Sequence, residues 1–204
     1  MIIDYQNKIV FLSNTKVASS AMEFVIQKNG KRIGSLSGAS RLKHLNFSQF
    51  LKVCDGLNVS SFKTICAIRH PLDKAKSWYK YRSRPDIKNQ KNKITGKSFG
   101  EFLVECVKQK DQSNDLFSIC DSIFVTDPET GRIVDSLYKY ENIEALWKFL
   151  GDLYGEDIEV PIKNASPVIE LGDYAEQLAQ FKDAFKDEIS WYENNGSESF
   201  TTHI

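Results

Sequence analysis

No glycine stands between Met1 and Gly30, although the chain holds 11 in all. That excludes a Walker A loop at the N-terminal end, because G-x-x-x-x-G-K-[ST] needs glycines where the backbone folds round phosphate. Apolar runs are short, and none approaches the roughly 18 residues of a membrane-spanning helix. The first residues lack a basic stretch followed by an apolar core, so no secretory signal is read. Together these absences predict a cytoplasmic protein. Histidine is scarce, with three in all, and the four cysteines Cys54, Cys66, Cys106 and Cys120 have no metal-ligand spacing. The expectation is therefore no metal, with buried free thiols in a reducing compartment.

What is present fits an ordered globular protein. Apolar residues make up 41% and aromatics 12% of 204 residues, enough for one α/β domain with its own core. The formal net charge is zero, but its halves differ. Residues 1–140 hold 23 Lys and Arg against 13 Asp and Glu, and residues 141–204 hold 4 against 14. A basic surface of that kind draws anionic ligands toward the N-terminal part.

The stretch Lys8–Gly30 organises the reading. Ile9–Leu12 is an apolar, β-branched run that reads as a buried strand. A small polar turn follows, Ser13-Asn14-Thr15-Lys16. Ser19-Ser20 then opens a helix with Ala21, Met22, Val25 and Ile26 on one face and Gly30 at its stop. A strand, a small-residue turn with one lysine and a helix N-terminus together make an anion site, because free N–H groups and the helix dipole favour negative charge there.

Further along, residues 31–41 read as a loop and Leu42–Asn58 as a helix stopping near Gly56. Phe62–Arg69 reads as a second buried strand. His70-Pro71 ends it, and Pro71 suits the first turn of a helix running to Arg82. Ser83–Lys97 is a polar, basic excursion. Ser98 caps a helix to about Lys110 with Phe99, Phe102, Leu103 and Val107 inward. Ser122–Val125 and Arg132–Tyr140 read as strands about a turn at Asp127–Gly131, a hairpin. Glu141–Leu153 reads as a helix ending near Gly155, Ile158–Pro167 as an extended loop, Leu171–Tyr192 as one amphipathic helix, and 193–204 as a frayed tail. The expected fold is a single-domain α/β arrangement, a central and mainly parallel sheet flanked by helices.

The second strand–turn–helix unit places Arg69 at a strand end and Ser77 on the adjoining helix. Here the sequence resembles the PAPS-dependent sulfotransferases, the carbohydrate branch above all. Lys16-Val17-Ala18-Ser19-Ser20 is similar to the family's 5′-phosphosulfate loop. Arg69 to Tyr79 resembles its 3′-phosphate motif R-x-P-x-x-R-x-x-S-x-Y. Tyr138-Lys139-Tyr140-Glu141-Asn142-Ile143 resembles its Tyr/Phe-Glu-Asn-Leu element, and Asn164-Ala165-Ser166 its Asn-x-Ser loop near the cofactor. The four stand in family order over residues 8–170. Lys74 replaces a frequent arginine, Thr15 a frequent proline and Ala21 a frequent hydroxyl residue.

The resemblance implies a P-loop-like sulfotransferase fold, PAPS as donor and PAP as product, and an acceptor hydroxyl on a glycan or glycoconjugate. It implies that Lys16 and the backbone of Val17–Ser20 hold the 5′-phosphosulfate. Arg69 and Ser77 would hold the 3′-phosphate, and Asn164–Ser166 would lie beside the cofactor. Lys16 would also stabilise charge on the leaving phosphate. Lys43-His44-Leu45-Asn46-Phe47 resembles the family's His-x-Ser/Thr-Phe segment, which makes His44 the candidate general base, with the unperturbed pKa such a base needs. Glu23 is the fallback carboxylate. His70 reads as a structural residue of the turn. Lys88, Lys91, Lys93 and Lys97 form a solvated loop or a contact for an anionic acceptor. Two other readings stay open, a P-loop-like nucleotide kinase and a non-catalytic PAP-binding module. No nucleic-acid partner is expected.

Overall fold

The computed structural model describes residues 1–35, 43–85, 93–94, 96–110, 118–155, 157–158 and 169–196. Its centre is a five-stranded sheet of β1 (Ile2–Asp4), β2 (Ile9–Leu12), β3 (Ile33–Ser35), β4 (Lys63–Ile68) and β5 (Ser136–Lys139), in the order β3-β1-β2-β4-β5. β1 is antiparallel to β2 and to β3. β2, β4 and β5 run parallel, with Phe11 opposite Ile65 and Ile65 opposite Ser136. The sheet is therefore mixed, where a mainly parallel one was expected.

Side chains alternate across this sheet with the two-residue period of a strand. Val10, Leu12, Cys66 and Ile68 pack to one face. Ile9, Phe11, Ile65 and Ala67 pack to the other. The second face is covered by α1 (Ser19–Asn29) and α6 (Glu144–Tyr154), through Met22, Val25, Ile26, Leu146 and Leu150. The first is covered by α2 (Phe47–Leu51), α5 (Asp121–Val125) and α8 (Lys186–Asn194), through Phe47, Phe50, Val125 and Tyr192. A third apolar cluster joins α3 (Pro71–Arg82), α4 (Phe99–Gln109) and α7 (Ala175–Ala184) around Tyr79, Phe99, Phe102 and Phe181. All four cysteines are free thiols. Among the described residues no helix is long and apolar enough to cross a membrane.

Several elements depart from expectation. β1 was not expected, and β3 lies inside the stretch read as a loop. Within the span read as one helix, a helix runs over Phe47–Leu51, and the Asn46 and Gln49 side chains close a reciprocal capping box that fixes its start. Ser122–Val125 lies within the helix α5 and is not a strand. The expected hairpin reduces to one bridge, Thr126 with Ile133, while β5 is confined to Ser136–Lys139 and pairs parallel to β4. Glu141–Leu153 divides into a short 3-10 turn, Tyr140–Asn142, and α6. Leu171–Tyr192 is two helices broken at Phe185, whose φ of −103° and ψ of 18° leave the helical region.

Because Leu12 pairs with Cys66 in parallel, β2 and β4 end side by side. The chain leaves both strands at one edge of the sheet, and α1 and α3 both begin there. In parallel α/β sheets the carboxyl ends of the strands are where ligands sit.

Candidate functional site

The loop from Ser13 to Ala18 leaves β2 and turns into α1. Lys16 and Ala18 adopt left-handed backbone, with φ of 62° and 59°, and Val17 lies between them. Each such residue costs roughly 1–2 kcal/mol where a glycine would cost nothing. Alternation of this kind curls successive N–H groups into an anion-binding concavity. Ala18 caps α1 and offers no side-chain acceptor to the first helical N–H groups. The Ala21 and Met22 amides bond back to the Ala18 carbonyl, so the Ser19 and Ser20 amides are the donors at this helix start that a ligand could take. Ser19 is buried and Ser20 half-buried against the helix start.

Arg69 leaves β4 toward this loop and donates from Nη1 to the Lys16 carbonyl at 3.0 Å. Its guanidinium lies 4.0 Å from the Tyr140 ring centre. The Lys16 ammonium lies 4.0 Å from the ring centre of Tyr81 and 5.2 Å from that of Trp78. Burial, and then the Arg69, Arg84 and Arg82 charges, lower the Lys16 pKa to about 8. Among the described residues no carboxylate forms an ion pair with the Lys16 ammonium or the Arg69 guanidinium. Arg69 Nε, Thr15 Oγ1 and Trp78 Nε1 are buried and lack hydrogen-bond partners among the described residues. Buried polar atoms in native proteins are nearly always paired. This patch holds cations and unpaired donors from three elements, and a multiply charged anion would satisfy both.

Ser77 is half-buried on α3, three residues after Lys74 and four before Tyr81. It therefore shares the stripe of α3 that reaches the loop. Lys74 is fully buried, with its ammonium on Asp121 and 3.4 Å from Asn14 Oδ1. Asn14 donates to Asp121 at 2.7 Å and to the Ala67 carbonyl at 3.2 Å. The Arg69 amide donates to the other Asp121 oxygen at 2.7 Å. Lys74 is thus a fully buried partner of Asp121 and Asn14. Asp121 and Asn14 were not expected from the sequence. Only Lys74 gave a signal there, as a lysine beside Ala75 and one turn before Trp78 on an inward stripe.

His44 is joined to the same loop. Its Nδ1 lies 2.6 Å from the Ser13 carbonyl. A carbonyl only accepts, so Nδ1 carries the proton and the neutral ring keeps a lone pair on Nε2. His44 is exposed overall, but partial desolvation by the surrounding protein lowers its pKa below the ordinary 6.5, against the raising effect of the Ser13 bond. Glu23 sits on the inner side of this arrangement, buried on α1. It accepts from Ser13 Oγ at 2.5 Å and pairs with Lys43 at 3.1 Å. Its carboxylate tethers the segment that carries His44 and is committed to that task.

His70 caps α3 and donates its amide to Glu141 at 3.1 Å, the structural place expected of it. Asn164, Ala165, Ser166, Lys88 and Lys91 lie outside the described residues. Lys97 pairs with Glu105 at 2.7 Å, which partly neutralises it as an anion contact. A groove of about 500 Å³ opens between α2, α5 and α8, lined by Asn46, Gln49, Ile123, Thr126, Pro128, Trp191 and neighbouring serines. Every side chain lining it is neutral. No known family model matches the chain, and no curated protein or solved structure does.

Proposed function

We propose that the chain is a PAPS-dependent sulfotransferase of P-loop-like fold, transferring a sulfuryl group to a hydroxyl of a carbohydrate or glycoconjugate. The observation that carries this reading is the patch, where β2 and β4 end, of two cations and of buried donors that lack partners among the described residues. A nucleotide with phosphates at both the 5′ and 3′ positions suits two cationic arms on adjoining strand ends. Lys16 and the amides of Val17–Ser20 hold the 5′-phosphosulfate. Arg69, with its free Nε, and Ser77 hold the 3′-phosphate. The resemblance adds Asn164–Ser166 to the donor contacts.

Bound PAPS supplies a sulfuryl group on a phosphate leaving group. The acceptor oxygen forms the new S–O bond as the bond to the phosphate oxygen breaks, and the acceptor proton passes to His44 Nε2. Lys16 balances the charge that grows on the leaving phosphate, a positioned electrostatic effect of the kind that dominates phosphoryl transfer. The neutral groove fits the acceptor side. Asn46 follows His44 by two residues, so its rim lies within about 7 Å of His44 from Cα to Cα. Trp191 and Pro128 offer flat apolar faces there. The Asn46 and Gln49 side-chain oxygens are used in the capping box, leaving their amide nitrogens as donors for sugar hydroxyls.

Calorimetry with PAP and with 5′-AMP tests the donor assignment. PAP binds much more tightly, and Arg69→Ala loses about 1.5–3 kcal/mol of that affinity, the worth of a hydrogen bond to a charged group. Equal affinities for the two nucleotides would sink the reading. Release of PAP from PAPS on adding glycan acceptors separates an enzyme from a binding module.

A further inference from the structure

We infer that Asp121 is a positioning residue that registers the Lys16 loop against the Arg69 strand end, with Lys74 as its buried counter-charge. The inference rests on the anion site proposed above and deepens it. Asp121 stands at the start of α5, 1% exposed, and its two oxygens serve two parts of the site. One accepts the Asn14 side-chain amide, two residues before Lys16, and takes the Lys74 ammonium. The other accepts the Arg69 backbone amide. Asn14 passes the constraint on, since its Oδ1 accepts the Thr15 amide at 2.7 Å. Arg69 returns to the loop through its bond to the Lys16 carbonyl. The carboxylate is thus the shared node of a closed ring: Asp121, Asn14, the Lys16 loop, Arg69 and back.

Stability alone does not call for a charged pair here. Buried ion pairs replaced by apolar groups of similar volume often leave stability unchanged or raised. What the pair supplies and a leucine does not is an acceptor with two directed oxygens. α5 is itself held in place, because the Ser122 amide donates to Glu188 at 3.0 Å. The node is therefore fixed to α8 on one side and to the anion site on the other.

Two paired replacements separate acceptor geometry from charge. Asp121→Asn with Lys74→Met removes both charges, keeps an oxygen for the Arg69 amide and gives up the oxygen that accepts the Asn14 amide. Asp121→Leu with Lys74→Met removes the charges and the oxygen. Each protein is titrated calorimetrically with inorganic pyrophosphate and with PAP, beside thermal melting and circular dichroism. The asparagine pair, which keeps the Arg69 acceptor and loses the Asn14 one, is expected to fall between the parent and the leucine pair for pyrophosphate. The leucine pair is expected to bind it at least tenfold more weakly while melting as a folded protein, in the range found when an outer hydrogen-bond partner is lost. Equal affinities in the two, or equal losses in both, overturn the inference. Should the leucine pair not fold, Asp121→Ser with Lys74→Met draws the oxygen back from the Arg69 amide, and retained pyrophosphate affinity there overturns it too. A parent that binds pyrophosphate and shows no preference for PAP over 5′-AMP removes the sulfotransferase reading while the pyrophosphate comparison still decides the role of Asp121. A parent that binds neither removes both.

Discussion

The affinity of the site for PAP should fall as pH rises from 7 to 9, with Lys16 as the cause. In the free protein Lys16 titrates near 8, against 10.5 for an ordinary lysine, chiefly because its ammonium is desolvated. That difference corresponds to roughly 3 kcal/mol, and to about 2 kcal/mol once partial solvent exposure is discounted. A bound phosphate restores what burial took from the ammonium, so the ligand selects the charged form. The charged fraction is about 90% at pH 7, about half at pH 8 and about 10% at pH 9. Affinity should therefore drop about tenfold between pH 7 and pH 9, within the 1.5–3 kcal/mol or so that a hydrogen bond between charged groups can contribute. The phosphates of PAP, with second pKa values near 6, are already ionised across this range and add little to the trend. Titration calorimetry in buffers of different ionisation enthalpy reads the proton directly, with uptake rising from about 0.1 per PAP at pH 7 to about 0.9 at pH 9. Lys16→Arg, charged throughout, should flatten the profile, and Lys16→Ala should flatten it at a lower affinity. A parent protein with constant affinity over this range, or a Lys16→Ala variant that keeps the full slope, would refute the reasoning. Protein stability runs the other way. The unfolded lysine holds its proton up to 10.5 and the folded one releases it near 8, so this group adds stability as pH climbs between the two.

His44→Ala should lower kcat by about 10²–10⁴-fold, with PAP affinity nearly unchanged. The kcat/KM of the parent should fall on the acid side with an inflection below 6.5, since partial desolvation lowers the pKa of His44 and only the neutral ring accepts a proton. His44→Asn should not restore turnover, and a near-normal kcat in either variant would place the base elsewhere. Ser98→Ala breaks the capping box of α4, in which Ser98 Oγ accepts the Glu101 amide and Glu101 answers the Ser98 amide, and should cost about 1 kcal/mol in chemical denaturation. No measurable change would mean that packing of Phe99, Phe102 and Leu103 alone defines that helix.

Where a segment's fate was set by neighbours in sequence, it was legible. Ile9–Leu12 and Lys63–Ile68 are apolar runs bounded by turns. Pro71 and Ser98 mark helix starts that the structure places within a residue. Where distant contacts decided, it was not. β1 is three residues long and ends in Asp4, whose carboxylate accepts the Gln6 and Asn7 amides and so closes the turn into β2. β3 holds Gly34 and Ser35 and exists because β1 offers it an edge. Ser122–Val125 has the composition of a strand, but Glu188 takes its first amide and hydroxyl from 66 residues away. The break at Phe185 hides inside an unbroken amphipathic pattern, since Phe181 and Phe185 stack at 4.5 Å and are both buried. The candidate site divides in the same way. Lys16, Arg69 and His44 lie on recognisable local patterns. Asp121 is one aspartate among many until folding brings it beside Asn14, 107 residues earlier.

That long reach fixes an order of events during synthesis. The parallel strands and the Lys16 loop come early in the chain, but the carboxylate that registers them is attached to α5, and α5 is held by Glu188 on α8. The same helix supplies Tyr192, whose hydroxyl donates to Glu141, the acceptor for the His70 amide. A chain still lacking α8 carries every residue assigned to the nucleotide but not the Glu188 and Tyr192 contacts that hold α5 and Glu141 in place. The capacity to bind a polyphosphate should therefore emerge late on the ribosome, close to the moment α8 clears the exit tunnel, rather than when Ser166 does. A nascent chain would be protected from premature engagement of the nucleotide by the topology of its own fold.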